Sequence, residues 1–436
     1  MNRSGFVLIG LLGLMTIDGA ARAGEPQARA TSFTITVRAG KHDRRDSLVT
    51  FAVPPDRLDA EVTRVLLDRP VGLLVTDLAA PRGAKPSTAE AHRQPDGTIR
   101  ATWFLPRPIP AGGEARFEVD GGPAARDAPS PWTALAAPGR AVTIGHHPDR
   151  PVLRYNAGPT TPPPTQPNPN LIRDAYIHPA YSPSGALVTG DFSPHHPHHR
   201  GVFLAYVHTR WGDLAPDFWN IQSGTGRIVA DGFDRPVLGP VAGRFEVRHR
   251  WEAIRPRPTG NEHRVALRER WAIELYDVPG SPYWLFDLTA TQQAEGHPLE
   301  VLPYRYGGMA YRSAEPSVRG PLDVLTAEGR HRFDGDQKPT RWVDLTGPVA
   351  EASPNYAGAL IADHPTNPQY PTVVRIHPIT LPFFSFVPSH DGALTIRTDQ
   401  PTTFRYRIMI HDGRPDPALN DRIGWDFTDP AEVTVN

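Results

Sequence analysis

In the stretch Val265-Ala-Leu-Arg-Glu-Arg-Trp-Ala-Ile-Glu-Leu275, the residues Val265, Leu267, Glu269, Trp271, Ile273 and Leu275 share one face, and the residues between them are Arg, Glu and Ala. An extended chain sends successive side chains to opposite sides, so a period of two specifies a half-buried β-strand. Tyr283 to Ala290 repeats the pattern with Trp284, Phe286 and Leu288 on one side, and Phe404 to His411 repeats it with Phe404, Tyr406, Ile408 and Ile410. No segment longer than about two turns carries a convincing helical period. Fifty prolines and 38 glycines interrupt the chain at short intervals, which favours turns over long helices. The expected class is all-β.

The alternation divides into two regions. Residues 24–141 hold Phe33-Thr-Ile-Thr-Val37, Glu114 to Val119 and the short β-forming runs Leu48 to Val53, Val62 to Leu67, Val71 to Leu78 and Thr98 to Leu105. Short strands at this spacing predict a small N-terminal β-sandwich. Residues 142–436 are expected to form a large antiparallel β-sandwich. The proline-rich piece from Pro159 to Pro169 reads as an extended surface loop.

Residues 1–23 have the form of a signal peptide. Arg3 supplies a positive start, Gly5 to Thr16 is apolar, and Ala21-Arg22-Ala23 offers a small-x-small cleavage site. A periplasmic or secreted location is therefore expected. No later segment is apolar enough for a membrane span. The absence of cysteine removes disulfides and thiolate metal ligands. With 46 basic against 47 acidic residues there is no basic excess for binding nucleic acid. Nothing in the pattern specifies an oligomeric state.

Chemistry concentrates in Asp191-Phe-Ser-Pro-His-His-Pro-His-His-Arg-Gly201, where four histidines occupy five positions ahead of the apolar run Val202 to Val207. Pro197 argues for a loop entering a strand. His196 and His198 fall on one side of an extended backbone. They suit a single divalent metal if a carboxylate, Asp191 or Asp217, or a third histidine joins them. Equally, His196, His198 or His199 is suited to acid/base work without a metal, with Arg200 holding an anionic or hydroxyl-rich substrate. Structural hydrogen bonding is the third reading.

Further candidates surround this cluster. His178 and Tyr181 lie in the turn-rich piece Tyr176 to Gly185. Asp217-Phe-Trp-Asn220 offers a carboxylate and, in Trp219, a flat aromatic of the kind that stacks on sugar rings; Trp219 as core filling is the plainer reading. Glu269 stands alone on an apolar strand face. A buried carboxylate is costly without a partner, so Glu269 is expected either to pair with an arginine, Arg305 being the obvious one, or to face a cleft as an acid/base group. His364 lies in the loop Asp363-His-Pro-Thr-Asn-Pro368, and His411, opposite the apolar face of its strand, is expected near a rim.

Four motifs in order, Tyr-Ile-His-Pro-x-Tyr-Ser-Pro-Ser-Gly from Tyr176, His-Pro-His-His-Arg-Gly from His196, Asp-Phe-Trp from Asp217 and Tyr-Arg-x-x-x-His-Asp-Gly from Tyr406, resemble the landmarks of a secreted bacterial family. That family is carried under the label "methane oxygenase PmoA" and elsewhere as a domain of unknown function. Thr326-Ala-Glu-Gly329, Arg341-Trp-Val-Asp344 and Asp363-His-Pro-x-Asn367 also match, and Val37 to Arg45 resembles an extension found ahead of the family's main domain. The resemblance spans about residues 142–420. The family's all-β pattern is similar to the galactose-mutarotase-like super-sandwich of carbohydrate enzymes, and its members tend to occur in sugar-degrading bacteria. The label itself implies a metal-dependent oxygenase, although a particulate methane monooxygenase subunit is an integral membrane protein.

Together these observations lead to an expectation of a periplasmic carbohydrate-active protein: a glycosidase, lyase or epimerase acting on a carbohydrate or other small polar substrate. His196, His198, His199, Glu269 and Asp217 are its candidate catalytic groups. His178, Tyr181, Arg200, Trp219, Arg305 and His364 are its candidate substrate contacts. The alternatives are a non-catalytic glycan-binding protein and a metal-dependent oxygenase, with either no cofactor or a single divalent metal.

Overall fold

The structure, a computed structural model, describes residues 31–147, 149–350, 355–377 and 381–436. The leader expected over residues 1–23 lies outside them. Among the described residues no helix is long and apolar enough to cross a membrane.

The alternating segments form strands. Val265 to Leu275 lies within Glu262–Tyr276, Tyr283 to Ala290 within Tyr283–Ala294, and Phe404 to His411 within Thr402–Asp412. These three strands are neighbours in a nine-stranded antiparallel sheet that continues through Ala242–Arg255 and Gly226–Phe233 on one side and through Tyr356–Ala362, Trp342–Pro348 and Asp323–Thr326 on the other. A second nine-stranded sheet runs in the order Lys338–Pro339, Val373–Ile376, Phe383–Phe386, Gly307–Arg312, Val202–Tyr206, Tyr176–Ala180, Pro151–Asn156, Ala141–His146 and Trp132–Ala137. The inward faces of the two sheets share one core, which includes Ile144, Tyr155, Phe203, Phe384, Trp251, Trp271, Phe286 and Tyr406. This is the large antiparallel sandwich.

A third sheet has seven strands. Six come from Ser32–Arg38 to Glu114–Asp120, and the seventh, Glu432–Val435, comes from the C-terminus and pairs with Ser32–Arg38. Its edge strands, Leu48–Ala52 and Glu432–Val435, approach each other. The sheet therefore curls around its own apolar interior of Ile35, Leu73, Trp103 and Phe117.

Two local readings are corrected. The run Val62 to Leu67 is mostly helix: Asp59 caps Ala60–Val65 by accepting from the Glu61 amide, and a satisfied N-cap outweighs the β-preference of valine. The longest helix among the described residues, Pro417–Thr428, begins at Asp416, whose carboxylate accepts from the Ala418 and Leu419 amides. Its buried residues include Asn420 and Asp426, so the usual apolar periodicity is masked. Asp-Pro at the N-cap and first position was the available signal.

Sheet register positions the histidine segment. Val202 pairs with Tyr311, Arg312 with Phe383 and Ile376 with Phe384. The start of one strand, the end of its neighbour and the ends of two further strands thus meet at one end of the sheet.

Candidate functional site

The segment from His196 to Gly201 turns tightly before the sheet, with the His199 amide donating to the His196 carbonyl at 3.0 Å. Gly201 donates to the Gly190 carbonyl and accepts from the Arg312 amide, both at 2.7 Å. Its φ of +48° lies in the left-handed region, and a Cβ built there would collide with the Ile177 carbonyl oxygen. Only glycine meets both conditions, which accounts for the glycine that closes His-His-Arg-Gly.

Three of the four clustered imidazoles converge, and a fourth comes from elsewhere. The His196 ring centroid lies 5.8 Å from His198, 5.1 Å from His199 and 5.7 Å from His377, while His198 and His199 are 4.5 Å apart. His196 and His377 are half-buried, and His198 and His199 are buried. The Nδ1 atoms of all four are buried and have no hydrogen-bond partner among the described residues. His195, the remaining member of the run, is exposed.

Burial and crowding by positive charge keep these rings neutral. Burial is the main cause of lowering His198 to about 3, assisted by His196, Arg173 and Arg200. Burial, followed by His196, Arg375, Arg332 and Arg312, lowers His377 to about 4. His199 and His196 shift the same way, again mainly through burial. At neutral pH the cluster therefore carries free lone pairs rather than protons to give away.

The arginines around it divide into engaged and free. Arg200, the expected substrate anchor, is sealed from solvent; it donates to Asp191 at 2.7 Å and to the Leu171 carbonyl at 2.5 Å, and it lies 3.4 Å over the Phe192 ring. Its charge is spent on holding the loop. Arg173 is only 3% exposed, and none of its three side-chain nitrogens has a hydrogen-bond partner among the described residues. Arg312 is 0% exposed; it donates to Ser193 at 2.7 Å and pairs with Glu315, but its Nε and Nη1 are likewise unpartnered.

An aromatic wall adjoins the imidazoles. His199 stacks on Phe383 at 4.4 Å and meets the edge of Trp219 at 5.5 Å, and Trp219 lies 6.2 Å from Tyr306. Asp217 sets this wall: its carboxylate accepts from the amides of Trp219 (2.9 Å) and Asn220 (2.7 Å) and from the Asn220 side chain (2.8 Å). These bonds occupy both oxygens, so Asp217 positions Trp219 and is not a free acid/base group in this state.

Of the remaining candidates, His178 borders this constellation beside Gly201 and Arg305 borders it over Tyr306, while Glu269, His364 and His411 lie apart. Glu269 is buried within the sandwich and bonded to His249, Trp251 and Gln292 at 2.7, 3.1 and 2.8 Å. It neither pairs with an arginine nor faces a cleft, because a histidine directly across the sheet satisfies it. Arg305 is exposed, 5.7 Å over the Tyr306 ring. His364 bonds Thr366 and abuts Phe427, neither of them part of the cluster. His178 bonds Thr189 at 3.0 Å, and the Tyr181 amide donates to Val152. His411, expected near a rim, is buried against Asp344 at 3.1 Å. Among the described residues no group of three or more His, Asp or Glu side chains is arranged to hold a metal ion.

Sequence reasoning passed over His377, Arg173 and Arg312. The His-Pro of His377, repeating that of His178 and His364, was the only visible signal.

Fold and site together define an all-β sandwich protein with a neutral imidazole cluster set among buried guanidinium groups and an aromatic wall. The chain belongs to a family of unknown function (DUF6807), which matches residues 119–423. No curated protein matches it. Among solved structures it is similar to an alpha-mannosidase from Enterococcus faecalis V583, at 10% identity and a TM-score of 0.38. That alignment covers 94% of this chain and 46% of the mannosidase, so the chain spans about half the length of that protein. The likeness is too loose to carry an activity across.

Proposed function

We propose that this chain is an exported carbohydrate-active enzyme that breaks a C–H bond of its sugar substrate, as a lyase or an epimerase does, with His196 as the general base. The observation that carries this reading is the neutral imidazole cluster, bordered by the half-buried ring of Tyr306, behind which Trp219 and Phe383 are packed in the core. An unprotonated imidazole accepts a proton, and a flat aromatic wall suits the C–H face of a sugar ring. His196 is the base because it is half-buried and central, with the other three rings within 5.8 Å of it. His198 and His199 behind it hold its orientation, and Tyr306 offers the ring face, with Trp219 buried behind it.

Glycoside hydrolysis is the weaker reading. It ordinarily requires two carboxyl groups free to act on either side of the scissile bond. The carboxylates around the cluster are already engaged, Asp191 with Arg200 and Tyr176, Glu315 with Arg312, and Asp217 with its own turn.

Incubating the purified protein with sugar oligomers and following their ring protons by NMR tests the proposal. Loss of one C–H signal, abolished by His196→Ala, is the expected result. Cleavage that leaves every C–H in place, or binding without any reaction, counts against it.

A further inference from the structure

Resting on that reading, we propose that the substrate is a chain of sugars rather than a single one, and that its units beyond the reacting one lie along a ridge formed by Tyr306, Tyr304 and His208, with Arg305 beside them.

The ridge starts at the imidazole cluster. His377 follows the strand Val373–Ile376, whose Arg375 donates to the Tyr306 hydroxyl at 3.1 Å. The charge of Arg375 is felt at His377. Tyr306 also lies 6.2 Å from Phe383, the ring on which His199 stacks. From there the rings lead outward. Tyr304 is 6.1 Å from Tyr306 and inclined to it by 41°, and His208 is 4.2 Å from Tyr304 and inclined by 37°. Tyr306 and Tyr304 are half-buried, whereas His208 and Arg305 are exposed, so the row emerges from the site onto the surface.

The backbone holds this row in place. The Leu302 amide donates to the His208 carbonyl at 2.8 Å and the Tyr304 amide to the Ser389 carbonyl at 3.2 Å, which ties the two ring-bearing segments together. Gly307 and Gly308 then turn the chain into its strand with φ of +147° and +73°, and a Cβ at Gly308 would collide with the Phe386 carbonyl oxygen. Rings on a backbone fixed in advance lose less freedom when a ligand settles on them. Single exposed rings need no explanation, but a connected row continuous with a polar site points to a ligand that spans both.

The ligand class follows from the order of the rings. An aromatic face takes the C–H face of one sugar, and rings 6.1 Å apart take more than one sugar to cover. The incline from ring to ring suits a chain whose successive units are rotated about its length. Arg305, 5.7 Å over the Tyr306 ring, offers guanidinium donors to the hydroxyl groups that flank those faces.

Calorimetric binding to the full chain tests this, with two-unit and six-unit oligomers of glucose, galactose, mannose and xylose as probes. The inference predicts that at least one six-unit oligomer binds about tenfold or more tighter than the two-unit oligomer of the same sugar, and that Tyr304→Ala and His208→Ala each shrink this ratio to about twofold or less. If Tyr304→Ala does not fold, Tyr304→Leu, which keeps the bulk and loses the ring, takes its place with the same expected collapse. Equal binding of short and long oligomers, or a ratio that survives either substitution, overturns the inference and leaves the C–H chemistry of the imidazole cluster standing. No binding of any oligomer overturns both.

Discussion

His249 and Glu269 face each other across adjacent strands with Nδ1 2.7 Å from Oε2, and both side chains are sealed inside the sandwich. Tyr155 closes the far side of the imidazole at 2.6 Å, and Gln292 joins Glu269 to Tyr206. Every polar group in this chain of contacts leans on its neighbour, so removing one strands the next. Glu269→Ala should cost about 3–5 kcal/mol of stability, the usual consequence of leaving a buried partner uncompensated. Urea unfolding measures it. A variant as stable as the parent but inactive would restore Glu269 to the catalytic set.

Gly201 carries a backbone requirement beside the site. Gly201→Ala must strain φ +48° and push against the Ile177 carbonyl. Strain of this kind costs about 1–3 kcal/mol. The expected outcome is a lower melting temperature, because the displaced backbone is the one that donates to the Gly190 carbonyl and accepts from the Arg312 amide. Unchanged melting would contradict the assigned role.

Acid should destabilise the protein in a specific window. Burial, aided by His196, Arg173 and Arg200, lowers His198 to about 3 in the folded state, whereas an unfolded histidine titrates near 6.5. Between those values the unfolded chain binds a proton that the folded chain refuses, so stability falls as the pH falls below about 6.5, by up to about 1.4 kcal/mol per pH unit from this residue. Above that range the effect vanishes. His198→Gln should flatten the loss between about pH 6 and pH 4, read from urea midpoints at each pH. Parallel curves for the two proteins would contradict the shift.

Asp217 and Trp219 separate positioning from chemistry. Asp217→Asn retains an oxygen for the Trp219 and Asn220 amides and should keep most turnover. Trp219→Ala empties a buried position and should cost about 3–5 kcal/mol of stability, read from urea unfolding. Steady-state kinetics check the first variant, and abolished turnover in Asp217→Asn would return that carboxylate to the catalytic role expected from its motif.

The strands were legible because a sandwich writes a period of two into its sequence, as Glu262–Tyr276 and Thr402–Asp412 illustrate. The histidine cluster was legible because its members are consecutive. Arg312 and His377 were not, since adjacency created by the order of strands in a sheet leaves no mark on local spacing. Glu269 misled for a related reason. Its isolation on an apolar face was real, but the partner that satisfies it, His249, sits on the neighbouring strand, where only the register reveals it.

The central claim is that His196 removes a proton from carbon. NMR of sugar oligomers incubated with the protein in deuterated water tests it most directly. The account predicts that one ring C–H signal disappears, replaced by deuterium in an epimerisation or by a double bond in an elimination, and that His196→Ala abolishes the change while melting as the parent does. Hydrolysis with every ring C–H retained, or the same C–H loss in His196→Ala, would contradict it.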